Sequence, residues 1–279
     1  MGSQHMDEVV NIAGYRFVDL PDCYRMRDPL LDFCLENKLK GSIILSMNGI
    51  NFFLSGSDEA IEKFRSRLEL DPRLSGIPMK YSYTEYQPFR RMLVKVKKEI
   101  ISLGMDDIRP SEFTGQHVSP IEFKSMLDKD KEIIVLDTRN NYETRIGSFK
   151  GAVELDLKSF RGFPEAIKNL PASYKKKTLV LYCTGGIRCE KATSVMLKDG
   201  YEDVRQLDGG ILAYLEQCGG SHWEGDCFVF DQRVAVDENL NESEIEMCFS
   251  CREPLSVEEQ KSENYAFGKY CPYCYTGHE

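Results

Sequence analysis

Cys183 and Arg188 bracket a six-residue stretch, Cys183-Thr184-Gly185-Gly186-Ile187-Arg188, whose residue types suit nucleophilic chemistry. The thiolate is the reactive form of cysteine. It is favoured by converging backbone N–H groups, by the partial positive charge of a helix N-terminus and by a nearby fixed cation. Gly185 and Gly186 let the backbone curl without side-chain obstruction, so successive N–H groups can face one concavity. Arg188 closes the loop with a guanidinium, and a Cys-x4-Arg loop fits closely around a sulfur-sized group, such as a persulfide on Cys183. The competing reading is a buried cysteine ending a core strand, the commonest fate of a free thiol. The paired glycines and the arginine at fixed spacing favour the reactive one. Cys189, six residues after Cys183, has two readings, a thiol supporting or resolving Cys183 or a core residue; we assign it a supporting role.

The elements that must position these residues can be read around them. Residues 178–182 are a short apolar run rich in β-branched and aromatic side chains, which predicts a buried strand ending at Cys183. From Arg188 the pattern turns helical through Ala192, Val195 and Met196. Ser119-Pro-Ile-Glu122 has the form of a capping box with proline at the first helical position. Residues 132–137 predict a buried strand; helices are expected around 159–169 and 190–199, a strand at 204–207, and a helix after Gly209-Gly210. Such β/α alternation implies a parallel sheet flanked by helices, with Cys183 at the carboxyl end of a strand, where open α/β sheets place ligands.

A second group of candidates lies near the end of the chain. Cys248-Phe-Ser-Cys251 and Cys271-Pro-Tyr-Cys274 are separated by 19 residues, the spacing of a tetrahedral zinc site built from two knuckles. Four thiolates would leave no open position, so the metal would be structural. The alternatives are unmetallated thiols packed on the main body, or a redox pair. Cys23, Cys34, Cys218 and Cys227 read as core or surface cysteines.

Composition narrows the classes. The hydrophobic fraction of 42% is that of an ordinary globular protein. No apolar run approaches the roughly 18 residues of a membrane span, and no basic region followed by an apolar stretch suggests a secretory signal. Ten cysteines without such a signal point to reduced thiols, metal ligands or catalysis in the cytoplasm rather than a disulfide framework. The net charge of −9 is unevenly placed: Lys and Arg number 16 against 17 acids through residue 115, 16 against 15 over 116–223, and 4 against 13 thereafter. The chain through residue 223 is near neutral and can still present a local basic face.

Residues 1–6 read as an expression scar. Residues 7–103 predict an α/β domain: a strand at 9–18, a helix starting near Pro29 and ended by Gly41, a hairpin at 42–54 turning at Asn48-Gly49, a helix capped by Ser57-Asp58, and a strand at 79–86. The order β-α-β-β-α-β is the ferredoxin-like split arrangement. Met92, Val94 and Val96 then alternate with Lys95 and Lys97, following Arg90 and Arg91. This is either a solvated edge whose lysines discourage aggregation or a phosphate-contacting stripe for RNA. Residues 104–118 read as a linker, 119–223 as the parallel α/β domain, and 224–279 as a small Cys-rich extension.

Cys183-Thr-Gly-Gly-Ile-Arg188 resembles the active loop of a rhodanese domain; the related phosphatases use a loop one residue longer. Leu136-Asp137-Thr-Arg139-Asn-Asn-Tyr-Glu143 through Gly151-Ala152 resembles a second rhodanese signature, in which Asp137, Arg139 and Glu143 would frame the loop as structural ion-pair partners. From about residue 9 to the end, the chain resembles the bacterial rhodanese-domain tRNA uridine hydroxylases. The resemblance is carried by Phe89-Arg-Arg-Met-Leu-Val-Lys-Val-Lys-Lys-Glu-Ile, Tyr182-Cys-Thr-Gly-Gly-Ile-Arg-Cys-Glu-Lys-Ala, Gly209-Gly-Ile-Leu-Ala-Tyr, Trp223-Glu-Gly-Asp-Cys-Phe-Val-Phe-Asp and the paired tail cysteines. It implies 5-hydroxylation of the wobble uridine of tRNA with molecular oxygen as co-substrate, and Cys183 as the essential cysteine. One departure stands out. Related chains carry Gly-Ile-Asn-Gly-Thr where this one reads Gly49-Ile-Asn51-Phe52-Phe53, so those aromatics either alter RNA binding or supply stacking. Two further readings stay open: a sulfurtransferase carrying a persulfide on Cys183, and a non-catalytic binding protein on the same scaffold.

Overall fold

The computed structural model describes residues 9–129 and 132–277, and the chain divides into two compact units between residues 113 and 114. Residues 1–6, read above as an expression scar, lie outside the described residues, as do residues 7 and 8 of the first predicted domain.

In the first unit β1 (Val9–Phe17), α1 (Cys23–Glu36), β2 (Lys40–Ser46), β3 (Gly49–Gly56), α2 (Asp58–Glu69) and β4 (Met79–Thr84) follow the split order, and β5 (Met92–Val96) adds a further strand. The sheet runs β4-β1-β3-β2-β5, antiparallel except where β5 joins β2. Alternation selects the buried face: Val10, Ile12, Ile43, Leu45, Phe52 and Leu54 meet Leu30, Cys34, Ile61 and Phe64 of the helices. Phe52 is fully buried against Phe64, ring centroids 5.2 Å apart, so it serves the core and is not presented for stacking.

Two local expectations are corrected. α1 begins at Cys23, with Pro29 inside the helix rather than near its start. It ends at Glu36, where Lys38 takes the left-handed conformation (φ +55°) expected of Gly41. Gly41 instead lies in β2, where a Cβ would stand 2.0 Å from the carbonyl oxygen of Phe53.

The second unit opens with β6 (Gln116–Val118), a paired strand at residues read above as linker. Then come α3 (Pro120–Asp128), β7 (Ile133–Asp137), α4 (Asn141–Thr144), β8 (Gly147–Phe149), α5 (Phe163–Ala166), β9 (Thr178–Tyr182), α6 (Ile187–Lys198), β10 (Asp203–Leu207) and α7 (Gly210–Cys218). Ser119 caps α3 by accepting from the amide of Glu122. The sheet is wholly parallel in the order β6-β10-β9-β7. The helix expected over 159–169 is broken into short 3-10 turns on either side of α5.

Beyond α7, the residues assigned above to a separate extension return to this core. β11 (Trp223–Gly225) pairs antiparallel with β8, and β12 (Cys227–Phe228) pairs with β13 (Ala235–Val236). Phe149 is the hub: its ring stands 4.8–5.2 Å, edge to face, from Tyr214, Tyr182, Trp223 and Phe123. Cys227, Val229 and Val236 are buried in the same cluster. The remaining tail holds β14 (Glu246–Met247), β15 (Pro254–Leu255) and α8 (Val257–Gln260) around a small core of Cys248, Leu255 and Cys271. Among the described residues, no helix is long and apolar enough to cross a membrane.

Candidate active site

β9 is an interior strand, flanked by β7 and β10, and Cys183 is the first residue past its carboxyl end. Thr184, Gly185 and Gly186 carry the chain into α6, which opens with Ile187 and Arg188; Gly186 precedes it at φ +100°. The Gly186 amide donates to Cys183 Sγ at 3.1 Å. The Arg188 amide and the Cys189 thiol are directed at the same sulfur. Cys183 is only 1% exposed. Burial alone would raise its pKa. The Cys189 donor, the Arg188 charge and the Arg188 and Gly186 amides outweigh it, lowering Cys183 from the ordinary 9.0 to about 6. Cys189 is pushed well upward by burial and by the neighbouring Cys183, so it is the neutral donor of the pair. Thr138 Oγ1, 3.6 Å from Cys189 Sγ, also donates to the Tyr182 carbonyl at 2.9 Å and ties that donor to the strand end.

The other face of the loop is fixed by α7. The amides of Ile211 and Leu212 donate to the carbonyls of Cys183 and Thr184 at 3.0 and 3.1 Å. This approach requires glycine at 210, which has φ +66° and where a Cβ would stand 2.3 Å from the Cys183 carbonyl oxygen. Thr184 Oγ1 donates to the Phe228 carbonyl at 3.3 Å.

Arg188 is buried, and its Nη2 lies 2.8 and 2.9 Å from the two carboxylate oxygens of buried Glu143. Burial would weaken the guanidinium as a base, but the Glu143 charge reverses this and keeps Arg188 fully cationic. Glu143 also accepts from the Asn140 amide at 3.2 Å, closing the capping box of α4. Among the described residues, Nη1 of Arg188 is buried with no hydrogen-bond partner. Asp137 and Arg139 do different work. Arg139 Nη2 lies 2.6 Å from both Asp137 Oδ2 and the Gly147 carbonyl, and its guanidinium sits 5.6 and 5.4 Å from the Tyr182 and Trp223 rings. This buried pair joins the end of β7 to β8.

Sequence reasoning gave no role to Tyr142, Phe228 and Phe230, which form an edge-to-face ladder at 5.3 and 5.2 Å. The Phe230 ring stands 5.6 Å from the Arg188 guanidinium carbon. The available signal was the aromatic string from Trp223 to Asp231, whose partners lie far away in the chain.

Cys248, Cys251, Cys271 and Cys274 converge, with all four sulfurs within 4.8 Å of one another. The closest separations are 3.5 Å (Cys251–Cys271), 3.8 Å (Cys271–Cys274) and 3.9 Å (Cys248–Cys274). These far exceed the ~2.05 Å of a disulfide and match the ~3.8 Å edge of a tetrahedron with metal–sulfur bonds of ~2.3 Å. The Cys271 amide donates to Cys274 Sγ at 3.3 Å. Burial would raise the Cys248 thiol, but the amides of Cys251 and Ser250 and the neighbouring Cys271 and Cys251 thiols bring it down to about 7. The donor set therefore fits a metal ion. Arg145, at the end of α4, holds the module: it donates to Glu253 and to the Pro254 carbonyl at 3.0 Å and stacks 4.1 Å from the Tyr273 ring.

In the first unit Arg90, Arg91, Lys95 and Lys97 are all exposed, while Met92 and Val94 between them are buried. β5 is an edge strand, so these cations line one border of the sheet.

Residues 9–100 match the family described as the UPF0176 acylphosphatase like domain, and residues 119–217 match the rhodanese-like domain. A tRNA uridine(34) hydroxylase of Cupriavidus necator is 46% identical over 272 residues, covering 96% of both chains. One from Acaryochloris marina is 43% identical over 272 residues, covering 97% of this chain and 87% of its own. A solved rhodanese-like domain from Anabaena sp. is 24% identical, with a TM-score of 0.33, over 40% of this chain and 80% of its own. With identity at this level along nearly its whole length, the chain belongs to the tRNA uridine(34) hydroxylase family.

Proposed function

We propose that this protein hydroxylates C5 of the wobble uridine of tRNA in the cytoplasm, with molecular oxygen as co-substrate and Cys183 as nucleophile. The observation that carries the reading is the Cys183 sulfur, held as a thiolate by the Gly186 amide, the Cys189 thiol and the Arg188 cation. A thiolate adds readily to C6 of a uracil ring. The Sγ–C6 bond forms, and the C5=C6 π pair moves through C4 onto O4, leaving an enolate rich in electron density at C5. Dioxygen bonds to C5 and, with a proton from solvent, gives a C5 hydroperoxide; two thiols of a reductant then cleave its O–O bond, leaving a C5 hydroxyl, water and a disulfide. Loss of the C5 proton and departure of the thiolate restore the double bond. The sum is uridine, dioxygen and two thiols of a reductant giving 5-hydroxyuridine, water and a disulfide.

Glu143 acts as a positioning residue for the loop through Arg188, Asp137 and Arg139 support it by joining the end of β7 to β8, and the exposed Arg90, Arg91, Lys95 and Lys97 contact tRNA phosphates. The four tail cysteines hold a structural zinc. The test is nucleoside mass spectrometry on tRNA from cells lacking the protein, grown under 18O2 and complemented with wild type or Cys183→Ala. We expect labelled 5-hydroxyuridine derivatives with wild type only. Restoration by the alanine variant, or unlabelled product, overturns the reading. A second reading, transfer of a Cys183 persulfide, draws support from the Gly186 and Arg188 amides directed at the sulfur; rapid thiocyanate formation from thiosulfate and cyanide would favour it.

A further inference from the structure

Among the described residues, Arg188 Nη1 is a buried cationic donor without a hydrogen-bond partner, beside a thiolate the substrate must reach. Burying a donor without an acceptor is costly, and at a reactive site the cost is explained when a ligand atom accepts from it. The ring facing that guanidinium is Phe230. It sits at the tip of a tight turn in which the Val229 amide donates to the Val234 carbonyl, and an Asp231–Arg233 ion pair braces the same turn. Phe228 and Val229 are buried, yet Phe230 is 46% exposed. The turn is tied to the reactive loop by the Thr184–Phe228 hydrogen bond. A half-exposed aromatic ring, an unpaired cationic N–H and a nucleophilic sulfur thus stand together. A flipped uracil needs these three partners: a face to stack on, a donor to a ring carbonyl and a nucleophile for C6.

We propose that Phe230 is the platform on which the reacting uracil stacks, with a ring carbonyl oxygen accepting from Nη1 of Arg188. The side chain turns aside from the guanidinium, opening the way to the buried sulfur, and receives the base on its face. If that carbonyl is O4, the same N–H bears the negative charge that develops when Cys183 adds to C6. This inference rests on the hydroxylase reading and assigns its base-binding residue.

The test is the fraction of tRNA uridine 34 hydroxylated in cells expressing, at low level, wild type, Phe230→Ala, Phe230→Leu, Phe230→Tyr or Phe230→Trp. It is paired with the rate of Cys183 alkylation in each purified protein. Stacking on an aromatic side chain is worth about 1–3 kcal/mol per base, so Phe230→Ala is expected to lower the hydroxylation rate about tenfold or more. Phe230→Leu should fall with it, and the Tyr and Trp variants should stay within about twofold of wild type. Cys183 alkylation in Phe230→Ala should be no slower than in wild type. Full hydroxylation by Phe230→Ala, equal loss in Tyr and Trp, or a parallel fall in alkylation overturns the proposal. A wild-type control restoring no hydroxylation removes the functional reading, and this one with it.

Discussion

Arg188 reaches Glu143 through Nη2, which meets both carboxylate oxygens at 2.8 and 2.9 Å, while Nη1 has no hydrogen-bond partner among the described residues. The pair joins α4 to the reactive loop across 45 residues of sequence, and both side chains are buried. Removing one member of such a pair strands the other charge, whereas replacing both with apolar groups can be nearly neutral.

Glu143→Ala should therefore destabilise the protein by about 3–5 kcal/mol, read from the shift of the denaturant midpoint. Adding Arg188→Met should recover part of that stability while hydroxylation stays absent. If the single variant keeps the wild-type midpoint, the buried pair is not a structural tie.

Cys183 should alkylate as a group with a midpoint near pH 6, its rate with iodoacetamide flat above about pH 7 and falling below. Because its folded pKa is depressed from 9.0, the thiolate's contribution to stability is fully present above pH 9. It is lost as the pH falls through about 6. Cys189→Ala removes a donor to the sulfur. A hydrogen bond to a charged group is worth about 1.5–3 kcal/mol, so the midpoint should rise by about one to two units. Cys189→Ser should keep it near wild type. An unmoved midpoint in Cys189→Ala would rule out the thiol as its support.

Metal analysis of the purified protein should find one zinc per chain, lost in Cys248→Ser and in Cys271→Ser. Chelation should expose the region from residue 246 to 274 to proteolysis, because its core is little more than Leu255 and the cysteines themselves. Protein free of zinc but equally resistant to protease would show that the sulfurs pack without a metal.

Replacing Arg90, Arg91, Lys95 and Lys97 together with glutamine should weaken tRNA binding and flatten its salt dependence. Each lost phosphate contact should reduce the slope of log K against log salt by about 0.7–0.9. An unchanged slope would return this border to the role of a solvated edge.

What the sequence disclosed was local. The strand running into Cys183, the glycine pair and the following helix are coded by contiguous residues, as is the cysteine spacing of the tail. What it hid depends on long-range pairing. Trp223 and Phe149 face each other because β11 returns to β8, and no periodicity within either segment announces that partner. The same return brings Phe228 and Phe230 to the reactive loop, so an aromatic string visible in the sequence had no evident role. Pro29 misled because its helix begins six residues before it. Gly41 misled because its glycine requirement comes from a neighbouring strand's carbonyl rather than from a helix end.

The hydrogen bond from Thr184 to Phe228 spans 44 residues, and the pairing of β8 with β11 reaches further still. During synthesis on the ribosome, the strand, loop and helix around Cys183 emerge well before the segment that braces them. The reactive thiol is therefore assembled late, after most of the parallel sheet is already available to fold. A chain released before about residue 236 would carry Cys183 in an unbraced loop beside an uncovered aromatic cluster. Premature termination in this stretch would thus yield a chain marked for recognition by chaperones or proteases rather than a partly active enzyme.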